Sequence, residues 1–379
     1  MSVAALGGLV FALVYWRLLP PSARPASLLA LCALLYWASA PSLALNLALT
    51  LLVLAALRFG PLSARSWPAI ALPIVALLLN KYAGLPAFQV VGLSYVAFRL
   101  ISLSRDVGKR QDAPPSILDA LVYVLFPTTF LSGPIEPFER FRKIEPPARL
   151  ERMELFASLT RIVIGLAKKL LIADPLGAFA NTALAPDASA SMLWPGLFAY
   201  SLFVYLDFSA YSDLAIGGAR LFGYKLGENF DWPYLSANIS EFWTRWHISL
   251  SQFLRDHVFL PLSGRALTGG LAAWPLLVGI MSSLVTMTLC GMWHGSRGSF
   301  AVWGFAHGVL IGLHQIYRQK VLGRMKAKQR IAFQKKPAYR AFCTLLTFVG
   351  VSLLWVLFRF PLPEAGQVYG RLFGAFIHF

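Results

Sequence analysis

The sequence predicts an all-α protein that crosses a membrane several times. Of its 379 residues, 57% are hydrophobic and 13% are charged, and the mean hydropathy is +0.62. A soluble domain carries about 25% charged residues. The apolar residues form long unbroken runs, which indicate spanning helices of ~20 residues each. No stretch has the composition of a soluble module, so we expect one integral-membrane domain over residues 1–379.

The first apolar run, residues 3–16, has no Lys or Arg before it and is followed by Arg17 and Arg24. A secretory signal has a positive start and a small-residue cleavage site. We therefore expect an uncleaved span whose N-terminus lies outside, because Lys and Arg concentrate on the cytoplasmic side. Another apolar stretch follows Pro114-Pro115 and continues to Leu131. Further spans are predicted at 27–38, 42–57, 67–80, 88–104, 155–173, 192–206, 274–291, 299–317 and 341–359.

Two other segments are too polar to face lipid. Residues 136–154 carry charges of both signs and two adjacent prolines, which favours an interfacial helix or a loop. A helix is predicted from Asn238 to about Leu260, because Asn238 and Glu241 form an Asn-x-x-Glu capping pattern. Its polar residues must line a cavity or lie at an interface. On one continuous helix, Trp243, His247 and Ser251 would share a face.

Residues 318–340 contain nine Lys and Arg and no acid, which places this segment in the cytoplasm. The preceding span then runs from outside to inside, and His294 lies toward the outer half of the membrane. Such a basic surface suits an anionic donor, and it equally suits anionic lipid head groups. The net charge of +17 does not indicate nucleic-acid binding, since no soluble basic domain carries it.

His294 is the first candidate for chemistry. Trp293-His294-Gly295 lies between two predicted spans. A histidine at membrane depth can act as a general base near neutral pH, and intramembrane ionisable residues are usually functional. The alternative is a structural histidine that is satisfied by a backbone carbonyl. His247 is a second polar group for the same cavity, or else it makes a helix-packing hydrogen bond.

The remaining polar residues suggest structural roles. Asp207 and Asp213 are six residues apart and do not share a helix face, so we expect them to brace the fold. His307 and His314 share a face of one span, which predicts a packed polar face and not a metal site. We expect structural ion pairs or helix-end contacts from Arg245, Arg255 and Asp256. The three cysteines, Cys32, Cys290 and Cys343, have no ligand spacing, and we expect neither a disulfide nor a metal.

Several short motifs follow one another along the chain: Gly92–Arg99, Phe126–Ile135, Asp207–Gly217, Glu228–Phe230, Glu241–Ser251, Trp293–Gly295 and Trp303–Gly308. In this order they together resemble the membrane-bound O-acyltransferase (MBOAT) family, in particular its bacterial branch of alginate O-acetyltransferases and teichoic acid D-alanyl transferases. The resemblance covers about residues 88–379, and residues 1–87 match only in hydrophobic character.

This resemblance implies a fold of about eleven transmembrane or re-entrant helices around a central polar funnel. It implies that His294 is the catalytic histidine and His247 the second signature polar residue. Residues expected to position substrate are Trp293, Trp243, Ser251, Asn229 and Asp207. A cytoplasmic acyl thioester would meet an acceptor hydroxyl from the other side, with acetyl-CoA or an acyl carrier protein thioester as donor and no bound cofactor.

We therefore expect a multi-pass protein of the bacterial cytoplasmic membrane that acylates an exported cell-envelope polysaccharide. An extracytoplasmic acyltransferase or an acidic carrier protein are possible partners, and nucleic acid is not. Two alternatives stay open at this point. One is D-alanyl transfer to teichoic acid, and the other is a transporter whose polar groups line a permeation path.

The predicted topology can be checked by labelling. A cysteine introduced as Lys328→Cys should resist a membrane-impermeant maleimide on intact cells, because the Lys/Arg distribution places residues 318–340 inside. The same cysteine should react once the cells are permeabilised. Equal labelling in both conditions would contradict this orientation.

Overall fold

The computed structural model describes residues 3–59, 66–83, 90–110 and 114–374. In these ranges the chain forms helices and turns and no strand. Its contacts divide the chain into two compact units, residues 1–166 with 210–228, and residues 167–209 with 229–379. The expectation of a single domain stays a prediction.

The first unit contains eight helices among its described residues, together with the end of a ninth that begins in the second unit. They are α1 Val3–Arg17, α2 Arg24–Leu35, α3 Ala40–Phe59, α4 Ser66–Tyr82, α5 Leu93–Arg110, α6 Ile117–Val124, α7 Phe138–Phe141 and α8 Arg152–Ala167.

The described helices of the second unit follow in chain order. They are α9 Asp174–Ala183, α10 Ala190–Leu221 (which ends in the first unit), α11 Ile239–Arg245, α12 Ile248–Leu254, α13 Leu260–Thr268, α14 Pro275–His294, α15 Gly298–Lys320, α16 Ala327–Gln334, α17 Pro337–Arg359 and α18 Leu362–Gly374.

Three helices in the described ranges are long and apolar enough to cross a bilayer: Trp37–Phe59, Pro275–His294 and Pro337–Arg359. They coincide with the spans predicted at 42–57, 274–291 and 341–359. The start of the predicted span 88–104 lies outside the described residues. An all-helical protein with membrane-spanning helices is thus confirmed, whereas the count of about eleven and the funnel stay predictions. The polar segment 136–154 forms the four-residue helix α7 and loops, as expected, and its last three residues begin α8.

A buried guanidinium organises the first unit. Arg99, on α5, is 2% exposed. It donates to the carbonyl oxygens of Val124 (2.9 Å) and Thr129 (2.6 Å) and to the Thr129 hydroxyl. Burying a charged group is costly unless hydrogen bonds satisfy it. These bonds therefore tie α5 to the turn that follows α6, around which Tyr123, Phe126 and other aromatic residues pack.

Two glycines set the closest helix packing of the second unit. A Cβ atom on Gly291 of α14 would lie 2.1 Å from the carbonyl oxygen of Phe300, and one on Gly304 of α15 would lie 2.1 Å from that of Met287. The backbones of α14 and α15 therefore touch directly, as small residues allow in membrane helices. This contact fixes His294, the last residue of α14, against the start of α15.

The close approach predicts a large cost for a single methyl group. Gly304→Ala should lower the thermal unfolding temperature in detergent, since overpacking of this kind costs ~1–3 kcal/mol. Gly264→Ala is the matched control, because a Cβ at Gly264 meets no atom within 4 Å. It should be neutral or slightly stabilising, as alanine is the better helix former. Equal behaviour of the two variants would contradict the packing.

Candidate functional site

The amide oxygen of Asn229 accepts three hydrogen bonds in the second unit. The donors are the backbone N–H of Ser249 (3.2 Å), the Ser249 hydroxyl (2.8 Å) and Nδ1 of His247 (3.1 Å). The backbone N–H can only donate, so the oxygen and not the nitrogen of the Asn229 amide must face it. Nδ1 of His247 meets that same oxygen and must carry a proton.

This arrangement fixes the tautomer of His247. In a neutral imidazole with the proton on Nδ1, Nε2 holds the lone pair and can only accept a hydrogen bond. The His247 side chain is 2% exposed, and Nε2 has no hydrogen-bond partner among the described residues. An unsatisfied buried polar atom costs ~1–3 kcal/mol. His247 therefore presents an unused acceptor inside the protein, as a group that binds a hydroxyl requires.

The backbone at His247 corrects one expectation. The continuous helix predicted from Asn238 to about Leu260 is wrong, because α11 ends at Arg245 and α12 starts at Ile248. His247 lies between them with φ +41° and ψ 56°, in the left-handed region. Trp243, His247 and Ser251 do not share a helix face.

Backbone pairing explains this break. The N–H of Ile248 donates to the carbonyl oxygen of Asn229 (2.9 Å), and the N–H of Asp231 donates to that of Arg245 (3.0 Å). The segment 229–231 thus pairs with residues that a helix would have bonded internally. Left-handed backbone is unfavourable for a residue with a side chain, and these bonds hold His247 in it. The predicted cap is nevertheless present, because the Asn238 side chain accepts from the Glu241 N–H (2.9 Å).

His294 lies at a boundary of the protein interior. It ends α14 and is half-buried. Its ring lies 4.5 Å from that of Trp293, 4.8 Å from Phe358 and 5.3 Å from Trp303, centroid to centroid. Gly295 follows, where a Cβ would lie 2.9 Å from the ring of Phe300. The imidazole is thus held among aromatic rings with one part of it open.

Aromatic rings connect the two histidines within the second unit. From His294 the contacts run through Trp303 to Trp355 (5.8 Å) and on to Trp246 (5.2 Å). From Trp246 they continue through Phe230 (5.1 Å) to the ring of His247 (6.5 Å). His294 and His247 are also close enough to interact electrostatically. The two histidines thus lie on one continuous aromatic cluster, and polar interactions are stronger where apolar side chains exclude water.

Two buried donors lie in the same cluster. Trp243 donates from Nε1 to Nδ1 of His307 (3.3 Å), so a neutral His307 carries its proton on Nε2. That nitrogen and Nε1 of Trp303 are buried without a hydrogen-bond partner in the part of the chain that is described. The rings of Trp303 and His307 are 4.7 Å apart. Both N–H groups are available to an oxygen atom of a bound molecule.

The other predicted positioning residues divide into two groups. Trp293, Trp243 and Asn229 lie in or beside this cluster. Ser251 instead donates to the carbonyl oxygen of Trp246 (3.1 Å), which supports the turn at His247. Asp207 pairs with Lys169 (2.7 Å) and has the bracing role that the sequence suggested.

Most of the expected structural roles are also present. Asp213 pairs with Arg161 (3.1 Å) in the first unit. Arg245 pairs with Glu241 (2.9 Å), and Arg255 pairs with Asp256 (2.9 Å). The three cysteines are free thiols. Among the described residues, no group of three or more His, Cys, Asp or Glu side chains could hold a metal ion.

The sequence alone did not predict the roles of four residues, which are Ser249, Trp303, Trp355 and Phe358. Ser249 follows His247 by two residues, and its pairing with Asn229 depends on a tertiary contact that no local pattern shows. Trp303 is nine residues from His294 across a turn. The signal that could have found it is the density of tryptophan around the histidines.

Comparison with known proteins identifies the relatives of this chain. Residues 6–356 match the model of the MBOAT, membrane-bound O-acyltransferase family. A probable alginate O-acetylase of Pseudomonas fluorescens is 34% identical over 336 residues, which cover 84% of this chain and 63% of that protein. A peptidoglycan O-acetyltransferase of Helicobacter pylori is 32% identical over 248 residues, covering 64% of this chain and 44% of that protein. A teichoic acid D-alanyltransferase of Bacillus subtilis is 30% identical over 237 residues, 60% of each chain. The chain thus spans between 44% and 63% of the length of these relatives.

The role of Asn229 can be tested by stability. Asn229→Ala should leave the buried N–H of Ser249 unpaired and cost ~1–3 kcal/mol, whereas Ser249→Ala removes one donor and should cost ~1 kcal/mol. Thermal unfolding of both variants in detergent measures the difference. An Asn229→Ala protein as stable as Ser249→Ala would contradict the proposed hydrogen bonding.

Proposed function

Because the chain belongs to the membrane-bound O-acyltransferase family, we propose that it transfers an acyl group from a thioester donor to a hydroxyl of an exported cell-envelope polysaccharide, or to a partner that completes the transfer. The acyl group is acetyl in this proposal, since an alginate O-acetylase and a peptidoglycan O-acetyltransferase are among its relatives. The donor is acetyl-CoA or an acyl carrier protein thioester. The donor reaches the site from the cytoplasmic side, and the acceptor hydroxyl reaches it from the other side. The chain lies in the bacterial cytoplasmic membrane with its N-terminus outside.

His294 is the proposed general base. It would take the proton of the acceptor hydroxyl while the hydroxyl oxygen attacks the thioester carbonyl carbon. A carbon–oxygen bond forms, the carbon–sulfur bond breaks, and the proton leaves with the thiolate as a thiol. The position of His294 at the C-terminal end of α14 supports this role, because the helix dipole stabilises the positive charge that the base acquires.

The hydrogen-bonding character of the other groups supports distinct binding roles. Nε2 of His247 is an acceptor, so it can hold a hydroxyl and cannot hold a carbonyl oxygen. The N–H groups of Trp303 and His307 are donors and suit the thioester carbonyl, whose oxygen gains negative charge during the attack. The fixed tautomer of His247 is the observation that carries this proposal furthest.

D-Alanyl transfer to teichoic acid is the second candidate. The similarity to the Bacillus subtilis teichoic acid D-alanyltransferase favours it. Both reactions use a thioester and a hydroxyl, so the site alone does not separate them. Mild base releases the ester-linked group from the envelope polymer, and mass spectrometry then distinguishes acetate from D-alanine.

His294→Ala should reduce the acyl content of the envelope polysaccharide by at least ~100-fold, because positioned proton transfer contributes ~10²–10⁴-fold. The assay is the released acyl group per unit of exported polymer in cells that depend on this gene. Polymer export itself should continue.

His257→Gln serves as the matched control for this experiment. His257 stacks on Phe253 and lies 3.0 Å from its carbonyl oxygen, a contact that a glutamine amide can replace. This variant should keep full acylation. Loss of export with His294→Ala would instead indicate a transporter, and unchanged acylation would exclude His294 as the base.

A further inference from the structure

Two neighbouring cavities flank the C-terminal half of α15 in the second unit. The first, here called the basic cavity, has a volume of about 760 Å³ and is lined by Arg318, Arg330, Gln315, Gln319 and other residues. The second, the apolar cavity, has a volume of about 720 Å³ and is lined mainly by side chains such as Leu310, Leu313, Phe342 and Leu346. Ligand-binding cavities have volumes of about 300–1,000 Å³.

The two cavities adjoin one another. Asn238, His314, Leu322 and Gln334 line both of them. His314 is held in place by a hydrogen bond between its Nδ1 and the hydroxyl of Ser240 (2.8 Å). A single molecule with a polar and an apolar part could therefore occupy both cavities at once.

The charge of the basic cavity favours an anion. No Asp or Glu is among the described residues that line it, and Arg318 and Arg330 approach it from two different helices, α15 and α16. Guanidinium groups bind phosphate through paired hydrogen bonds. Glu241 lines the apolar cavity, but it pairs with Arg245 (2.9 Å). The paired carboxylate therefore does not repel an anion in the basic cavity.

The two cavities lie apart from the site around His247 and His294, here called the histidine site. None of the residues that we assign to acyl transfer lines either cavity. The basic cavity includes Pro275 and Leu276 at the start of α14, whereas His294 ends that helix. At 1.5 Å per residue the two ends are ~29 Å apart, close to the ~30 Å thickness of the hydrocarbon core.

Tyrosines mark the depth of the apolar cavity. Tyr317 and Tyr339 line it, and their hydroxyl groups lie 3.0 Å apart. Tyrosine is enriched at the membrane interface, where its ring meets lipid and its hydroxyl meets water. The cavity therefore opens near the level of the lipid head groups, beside the basic segment 318–340.

We propose that the two cavities together bind one anionic glycerophospholipid. Its phosphate lies between Arg318 and Arg330 in the basic cavity, and one acyl chain fills the apolar cavity. A soluble donor with phosphates could occupy the basic cavity, but it has no long apolar chain for the second one. This lipid site does not depend on the proposed acyl transfer.

The head-group contact is tested with protein purified in a neutral detergent. Native mass spectrometry measures retention of added dioleoylphosphatidylglycerol, with dioleoylphosphatidylcholine as the neutral comparison. The double variant Arg318→Gln, Arg330→Gln should bind the anionic lipid at least ~10-fold more weakly, since charge-assisted hydrogen bonds supply more than one factor of ten. The control pair Arg324→Gln, Lys328→Gln lies in the same basic segment, and neither residue lines the basic cavity. It should bind like the parent.

The contact with the lipid acyl chain is tested separately with Gly350→Leu. Gly350 lines the apolar cavity, and a Cβ there meets no atom within 4 Å, so we expect a leucine at this position to extend into the cavity. This variant should also lose the lipid. Gly366→Leu is the control, because Gly366 has the same free space and does not line the cavity.

Three results would overturn the proposal. Equal retention of phosphatidylglycerol by all variants would indicate nonspecific lipid at the protein surface. Equal binding of both lipids would show that the arginines do not recognise the phosphate charge. Binding of coenzyme A that is lost with the arginine variant and unaffected by Gly350→Leu would assign the basic cavity to a soluble polyphosphate.

Discussion

The hydrogen bonds to the amide oxygen of Asn229 are the interaction on which the histidine site depends. That oxygen accepts from the backbone and hydroxyl of Ser249 and from Nδ1 of His247. This one oxygen atom therefore positions the start of α12. It also fixes the orientation and the tautomer of the His247 ring. A left-handed residue is unfavourable for a side chain such as histidine, and the paired backbone of residues 229–231 and 245–248 compensates for it. The local conformation and the chemistry of His247 thus have one common cause.

The aromatic cluster gives these polar groups their environment. Trp303, Trp355, Trp246 and Phe230 bring the two histidines into one site without a direct hydrogen bond between them in the described structure. Hydrogen bonds and charges act more strongly where water is excluded. The Gly291–Gly304 contact is what brings His294 to the edge of this cluster, because it lets α14 and α15 approach backbone to backbone. Packing of α14 against α15 therefore positions His294 beside Trp303 of α15 and Phe358 of α17.

Sequence patterns predicted much of this molecule, and the failures have identifiable reasons. The apolar runs gave the helices because hydrophobicity over ~20 residues is a local property. The cap at Asn238 was predicted for the same reason, since residues three apart decide it. The helix across His247 was wrong because bonds from residues 229–231, about eighteen positions away, replaced bonds within the helix. The roles of Trp303 and Ser249 depend likewise on contacts between distant segments. His294 was a candidate from its position between two apolar runs and from the family resemblance, whereas its aromatic neighbours come only from the folded chain.

The unpaired polar atoms of the site match the hydrogen-bonding groups of the proposed substrates. Nε2 of His247, Nε2 of His307 and Nε1 of Trp303 are buried and have no hydrogen-bond partner among the described residues. Each such atom costs ~1–3 kcal/mol, against a total stability of ~5–15 kcal/mol for a folded domain. The combined cost of three such atoms in one aromatic cluster is therefore a substantial fraction of the total stability. A hydroxyl and a carbonyl oxygen together supply the missing partners, one donor for His247 and one acceptor for the two N–H groups. In the proposed reaction an acceptor alcohol and a thioester carry these two groups, so binding of both would offset the cost of the unpaired polar atoms.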